Sequence, residues 1–388
     1  MGILSNSLSL CPYTVEGDLT ENDLFQWASE RLTKNAFRPI DQSADELSVG
    51  WVHADDFRLI DFGTPDSFWR DNFLTFSLRR DQRRVPAALL KSHLKKAEDD
   101  FLAANPGFHR VPKAKREELR EAVHGSLLAR ALPAPTVVDV VWDTRNRLLW
   151  LTTLGTKMTE LFEGLFKQTF DGFRLVPVHP YARARRVLSE DSLPLLEQAN
   201  QATGDDVLDL IKDNRWLGWD FLRWLMYQTM NETSRYTVAQ PGLAPQDEAF
   251  VAYIDDRVVL QGESEGGTQK ITVAGPQDSF GEVRTALRCG KQITEAVLFF
   301  ELQENLWKMS LRGEMFHFAG VKTPTVKPEK GAREEEAAER IGIFLEKMGV
   351  LGEGFQLFDS LYAHFLRDRL GPEWAAQEGR MRQWLGEM

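Results

Sequence analysis

Apolar and polar positions alternate along residues 3 to 15 (ILSNSLSLCPYTV), which predicts a strand; Leu24, Phe25, Ala28 and Leu32 then recur at helical spacing between Asp18 and Asn35. The short aromatic segments LSVGWV (47 to 52), FRLIDFG (57 to 63) and DNFLTFSLRR (71 to 80), punctuated by Gly, Pro or Asp, predict an antiparallel meander. Pro86 suits a first helical turn, and Leu90, Leu94, Ala97 and Phe101 follow at helical spacing as far as Asn105-Pro106-Gly107. Pro112 opens a second helix, with Leu119, Val123, Leu127 and Leu128 on one face, that runs to Pro133. Two helices joined by a short loop make an αα-hairpin. Strands return at 136 to 144 and 147 to 153, and a helix over Thr156 to Phe170 turns Met158, Leu161, Phe162, Leu165 and Phe166 inward.

After residue 188 the chain becomes acidic and helical, and Trp216, Trp219, Trp224 and Tyr227 crowd into one segment that suits a core. A second antiparallel unit is expected from 248 to 254, 257 to 263, 268 to 275, 293 to 304 and 306 to 320, with a helix at Ser279 to Arg288. The charged block 327 to 340 leads into two or three terminal helices. This order predicts an α+β fold of antiparallel sheets with helices, not a doubly wound sheet. The division it suggests is a central α+β unit over 1–78 and 133–204, interrupted by the hairpin at 79–132. A Trp-rich helix with an antiparallel tip unit then spans 205–326, and terminal helices span 327–388.

Composition narrows the function classes. Cys11 and Cys289 are the two cysteines of 388 residues, too few for a disulfide framework or a zinc site built on a CxxC pair, and they point to a reducing compartment. The first residues lack the basic flank and apolar core of a signal peptide, and no apolar run is long enough for a bilayer, so the expected location is cytoplasmic. A net charge of -11 argues against a protein that coats DNA with a generally basic surface. Any contact with nucleic acid must come from a local patch.

Such a patch stands in LRRDQRR (78 to 84), continuing through Lys91, Lys95, Lys96, Arg110, Lys113, Lys115, Arg116, Arg120 and Arg130. Residues 79 to 130 hold 13 basic and 7 acidic side chains. Lys91 and Lys95 lie four apart on one helix face, which is unfavourable unless an anion relieves it. The competing explanation is that Lys95 with Asp99, and Lys96 with Asp100, lace a solvated helix. Duplex binding needs several phosphate contacts, and Arg79, Arg80, Arg83, Arg84, Lys91, Lys95, Lys96, Lys113, Lys115 and Arg116 are the candidates. Without a zinc finger, basic zipper or aromatic-basic RNA-recognition motif, that contact would ignore sequence.

Enzymatic readings have less behind them. GKQIT (290 to 294) lacks the Ser/Thr and the upstream Gly of a phosphate-binding loop, and GESEGG (262 to 267) sits between strands. Asp255-Asp256 with Glu263 would suit a two-metal nuclease, but flanking strands favour a hairpin turn at the aspartates. The histidines show no HExxH spacing, and neither Ser126 nor Ser310 lies in a GxSxG elbow. The chain therefore reads as a binding protein needing no cofactor or metal.

FRPI with SVGWV, VPAALLKSHLKKAE, SLLARALP, VVWDTRNRLLWL, LVPVHP and RTALRCGKQITEAVLFF, in this order and spacing, resemble the RdgC family of bacterial recombination-associated proteins along roughly residues 3 to 188 and 245 to 371. The resemblance implies a horseshoe-shaped monomer with a helical-hairpin finger, two copies of which close head to head and tail to tail into a ring around duplex DNA. It implies binding without sequence preference and restraint of RecA-driven strand exchange, RecA being reached indirectly through shared DNA, with a nucleoid-associated location. The exonuclease label sometimes attached to the family keeps a metal-dependent nuclease as the alternative. In the family the finger meets its twofold mate through a bulky aromatic after SLLxRA; here Leu132 takes that place, with Arg130 beside it. Tip strands of the family present basic and amide groups to DNA, a role that falls to Lys270. The fuller Trp-rich segment, if not core, would be a scaffold surface centred on Trp219.

Overall fold

The computed structural model describes residues 2–18, 24–43, 45–204, 206–264, 266–275, 280–325 and 336–386. The first part of the chain runs β1 (Leu8–Glu16), α1 (Leu24–Lys34), β2 (Leu47–His53), β3 (Trp69–Arg70), β4 (Phe73–Gln82), α2 (Ala87–Ala104), α3 (Lys113–Leu128), β5 (Ala134–Asp143), β6 (Leu148–Leu151), α4 (Thr156–Thr169), β7 (Arg174–Pro177) and α5 (Pro180–Val187). It continues through α6 (Leu193–Ala199), α7 (Val207–Asp213), α8 (Trp216–Asn231), β8 (Arg235–Thr237), β9 (Ala249–Ser264), β10 (Gly267–Ala274), α9 (Gly281–Arg288), β11 (Gln292–Leu302), β12 (Asn305–Arg312), β13 (His317–Lys322), α10 (Glu336–Leu370) and α11 (Trp374–Leu385). The fold is α+β, as the pattern predicts. Its open antiparallel sheet follows the order β10-β9-β11-β12-β13-β1-β6-β5-β4-β2, with β3, β7 and β8 pairing β4, β1 and β9.

β1 joins the two halves. Leu8 and Leu10 pair with β13, while Cys11 to Thr14 pair with β6 and Tyr13 to Glu16 with β7. One core lies over the first half, where Trp51, Phe76, Trp142, Phe162, Phe166 and Phe170 are all buried. Trp51 donates its indole N–H to Thr169 Oγ1 at 2.7 Å, which removes the cost of burying that polar group. The second core gathers Phe221, Trp224, Phe316, Phe318, Phe358, Tyr362 and Phe365 between the second half of the sheet, α8 and α10. Most of the Trp-rich segment is thus core, with Trp224 buried and Trp216 and Trp219 half-buried. Gly218 is required there, since a Cβ would fall 2.0 Å from the Gly313 carbonyl oxygen.

α10 ties the halves together. Its Phe344 lies under the Arg70 guanidinium, Asp359 pairs with Arg183 of α5, and Asp368 accepts the Trp224 indole N–H at 3.1 Å.

Three expected elements form differently. Residues 57–63 are not a strand: Asp56 accepts the Arg58 amide at 3.0 Å, which turns the chain, and Phe57, Leu59 and Ile60 stay exposed while Phe62 alone enters the core. The expected hairpin at Asp255-Asp256 is instead a bulge inside one continuous β9, where three residues of β9 stand opposite one of β11 between the pairs Leu298↔Ile254 and Ala296↔Val258. Asp256 takes a positive φ of 70° in that bulge. The stretch 306 to 320 divides into β12 and β13 around a turn at 313–316. Two terminal helices form, and Ser279 of the expected 279–288 helix lies outside the described residues.

Candidate nucleic-acid interface

α2 and α3 leave the sheet between β4 and β5 and fold back on one another. No α2 side chain is buried, and Leu128 is the one buried residue of α3. The apolar stripe of Leu90, Leu94, Ala97 and Phe101 is half-covered by Leu119, Val123 and Leu127, so the hairpin projects from the body and presents its remaining surface to solvent. With α2 18 residues long, its reach is roughly 27 Å.

Arg84, Lys91, Lys95, Lys96, Arg110, Lys113 and Arg130 are exposed here and make no ion pair among the described residues. Arg84 and Arg130 stand at the base, the three lysines along α2, and Arg110 and Lys113 at the tip. Lys91 and Lys95 share a face beside the apolar stripe, whereas Lys96 is turned about 100° from Lys95. Three other cations are paired: Lys115 with Glu118 at 2.6 Å, Arg116 with Glu98 at 2.6 Å and Arg120 with Glu117 at 3.9 Å. The lacing of Lys95 with Asp99 and Lys96 with Asp100, the competing explanation, does not form. Both helices begin at a proline with no side-chain cap and no acidic residue in the first turn, so their amino ends remain electropositive.

The arginines expected to lead the contact are engaged within the chain. Arg79 forms a two-point pair with Asp81 (2.8 and 2.6 Å), donates to Phe57 O at 3.1 Å and lies between the rings of Phe37 and Phe57. Arg83 is 8% exposed. Its guanidinium donates to the carbonyls of Ile40 (2.8 Å), Asp41 (3.3 Å), Ser43 (3.2 Å), Asp45 (3.2 Å) and Ala131, clamping both strand-to-hairpin junctions onto the 40–45 loop. Arg80 is buried, which lowers its pKa, and bonds Gln82. The same Gln82 oxygen accepts Arg84 Nε at 3.0 Å, so Gln82 positions the one arginine of the run that faces outward. Neither Gln82 nor Arg110 was among the expected contacts. The spacing of Arg79 and Asp81 on one strand face was the sequence signal for the internal pair.

Lys270 lies on β10 at the opposite end of the sheet, roughly 38 Å from β4 along the strand order. It lines a cleft of about 640 Å³ with Arg215, Trp219, Gln261, Arg312 and Glu314. Arg215 pairs there with Glu314 at 2.8 Å. The cleft draws on α8, β9, β10, β11 and the end of β12, gathering residues from between positions 215 and 314.

The nuclease constellation does not assemble. Asp256 pairs with Lys308 at 2.6 Å, Asp255 accepts the Asp256 amide at 2.6 Å, and Glu263 stands seven residues farther along β9, roughly 23 Å away. No group of three or more metal-ligating side chains forms among the described residues.

Leu132, 84% exposed, follows the hairpin, and exposed Leu89 and Phe108 also lie on it. Cys11 Sγ, 3.3 Å from His317 Nε2, is buried, and burial pushes its thiol up to about 11. No helix among the described residues is long and apolar enough to cross a membrane.

These features define an α+β protein with an open antiparallel sheet and a projecting basic hairpin. Residues 10–190 match the family model described as "RdgC: Putative exonuclease, RdgC", and over that stretch the chain is similar to the RdgC family. The match takes in the finger and ends after α5. No curated protein matches the chain.

Proposed function

We propose that this protein binds duplex DNA without reading its sequence, as a dimer, and acts in recombination by occupying the duplex. The family match supports a recombination-associated nucleic-acid-binding protein. The observation that carries the finer reading is the finger itself: seven exposed cations without ion pairs among the described residues, on a projecting hairpin of a chain whose net charge is -11. Asp99, Asp100 and Glu121 are the finger carboxylates left unpaired, so four positive charges remain in excess. The role expected of Arg79, Arg80 and Arg83 passes to Arg84, Lys91, Lys95, Lys96, Arg110 and Lys113. Leu132, Arg130 and the exposed Phe108 suit contact with a second finger. Lys270, with Arg215 and Arg312, offers a second basic contact for the same duplex. In this reading the protein is a binder and not an enzyme, and restraint of RecA follows from limited access to DNA. Ring closure around the duplex, as the resemblance implies, would let an acidic body retain it.

Titration of two unrelated duplexes at rising salt tests the reading. Equal affinities with a steep negative salt slope are expected, near -0.9 for each phosphate neutralised. Undetectable binding at low salt contradicts it.

A further inference from the structure

Trp219 differs from the other tryptophans of its segment. Trp216 lies under the Arg369 guanidinium, and Trp224 is enclosed by Phe221, Tyr236 and Phe365. Trp219 has no aromatic or cationic group against its ring among the described residues, and it lines the cleft of about 640 Å³ at the β10 end of the sheet. Its indole nitrogen is closed to solvent, so the part of this half-buried side chain that meets the cleft is the carbon surface of the ring. Such a surface is a platform on which another flat π-system stacks.

Around that platform the cleft is polar. Lys270, Gln261 and Gln292 stand opposite one another on β10, β9 and β11, so their side chains leave the sheet on one face. Neither glutamine side chain makes a hydrogen bond among the described residues, and each amide offers a donor beside an acceptor, the pattern that meets the edge of a nucleobase. Two cations are available to a phosphate. Lys270 is exposed and makes no ion pair among the described residues. Arg312 comes no nearer than 3.9 Å to Glu295, whose carboxylate already accepts from Arg257 at 2.6 Å and Ser310 at 3.0 Å. Arg215, Lys270 and Arg312 are balanced by Glu263, Glu295 and Glu314, so the lining carries no net charge. That balance suits a single phosphate; a triphosphate would need a metal ion or further cations.

We infer that this cleft binds one unpaired nucleotide, its base stacked on Trp219, its base edge met by Gln261 and Gln292, and its phosphate held between Lys270 and Arg312. The inference goes beyond duplex binding and does not depend on it. Bases inside a duplex already stack on both faces, so the occupant is a free nucleoside monophosphate or the unpaired terminal nucleotide of a strand. The volume falls in the range of small-ligand sites. All of these residues lie beyond the stretch 10–190 that matches the family model.

Calorimetric titration of the full chain with dAMP, deoxyadenosine and deoxyribose phosphate tests the assignment. Saturable binding of dAMP is expected, with the other two each weaker by about tenfold or more, because each lacks one of the two main contacts. Trp219→Ala should weaken dAMP and deoxyadenosine by about tenfold or more and leave deoxyribose phosphate unchanged. Trp219→Phe should recover much of that loss, which separates lost stacking from a damaged fold. Lys270→Ala combined with Arg312→Ala should weaken dAMP about tenfold and spare deoxyadenosine. A duplex with one unpaired terminal adenine, compared with the same duplex blunt, identifies the source. A gain for the overhang that vanishes in Trp219→Ala assigns the cleft to strand ends, and dAMP binding without such a gain assigns it to free nucleotide. Absence of both, or deoxyribose phosphate bound as tightly as dAMP, overturns the inference and leaves duplex binding untouched.

Discussion

The basic run from Arg79 to Arg130 divides at Pro86. Before it, Arg79 and Arg80 on β4 and Arg83 just beyond its end are drawn into the body and hold it together, with Arg84 alone facing outward; after it, on the hairpin, Lys91, Lys95 and Lys96 are exposed and make no ion pair among the described residues. The residues before Pro86 run along a central strand whose flanks are covered by the 35–45 and 55–60 loops, so a guanidinium there finds carbonyls and aromatic faces. Those after it stand on helices that bury almost nothing. Local charge density is alike in the two stretches, and what differs is the presence of a second layer of chain. A cation count along the sequence therefore overstates the surface available to phosphate.

The comparison predicts opposite phenotypes on its two sides. Arg83→Ala should cost about 4 kcal/mol, read from the urea midpoint, because five carbonyls lose a charged donor in a buried site. DNA affinity of the folded fraction should be unchanged; a large loss of affinity with intact stability would erase the distinction. Arg79→Ala should cost about 3 kcal/mol, since it strands the buried Asp81 carboxylate.

Acidification should also act on the body. His179 and His317 are held neutral by burial, each with its pKa lowered to about 4. Their unfolded forms bind protons first as pH falls below about 6.5, so stability should fall from there down to about 4, by about 1 kcal/mol in total between pH 7 and pH 6. Equal urea midpoints at pH 7 and pH 5 would contradict this.

Much of the fold was legible. Pro86, Pro112 and the helical spacing of Leu90, Leu94, Ala97 and Phe101 marked the hairpin, and period-two patterning marked most strands. The misread segments share a cause: side chains at 57–63 look like a strand, but no neighbour offers them a ladder. Asp255-Asp256 looks like a turn, yet Lys308 from β12 pairs with Asp256 and a bulge takes up the extra residues. Similarly, the burial of Arg83 depends on carbonyls from residues 40–45 and 131, a convergence visible only once the chain is folded. The candidate site was legible in its helices and illegible on its strand.

The most direct test is the salt dependence of duplex binding by the variant Lys91→Glu, Lys95→Glu, Lys96→Glu. The account predicts unchanged stability, affinity lowered about tenfold or more for every duplex sequence, and a salt slope shallower by roughly 2.7 for three lost phosphate contacts. Wild-type affinity and slope in that variant would contradict the claim that the projecting finger holds the DNA.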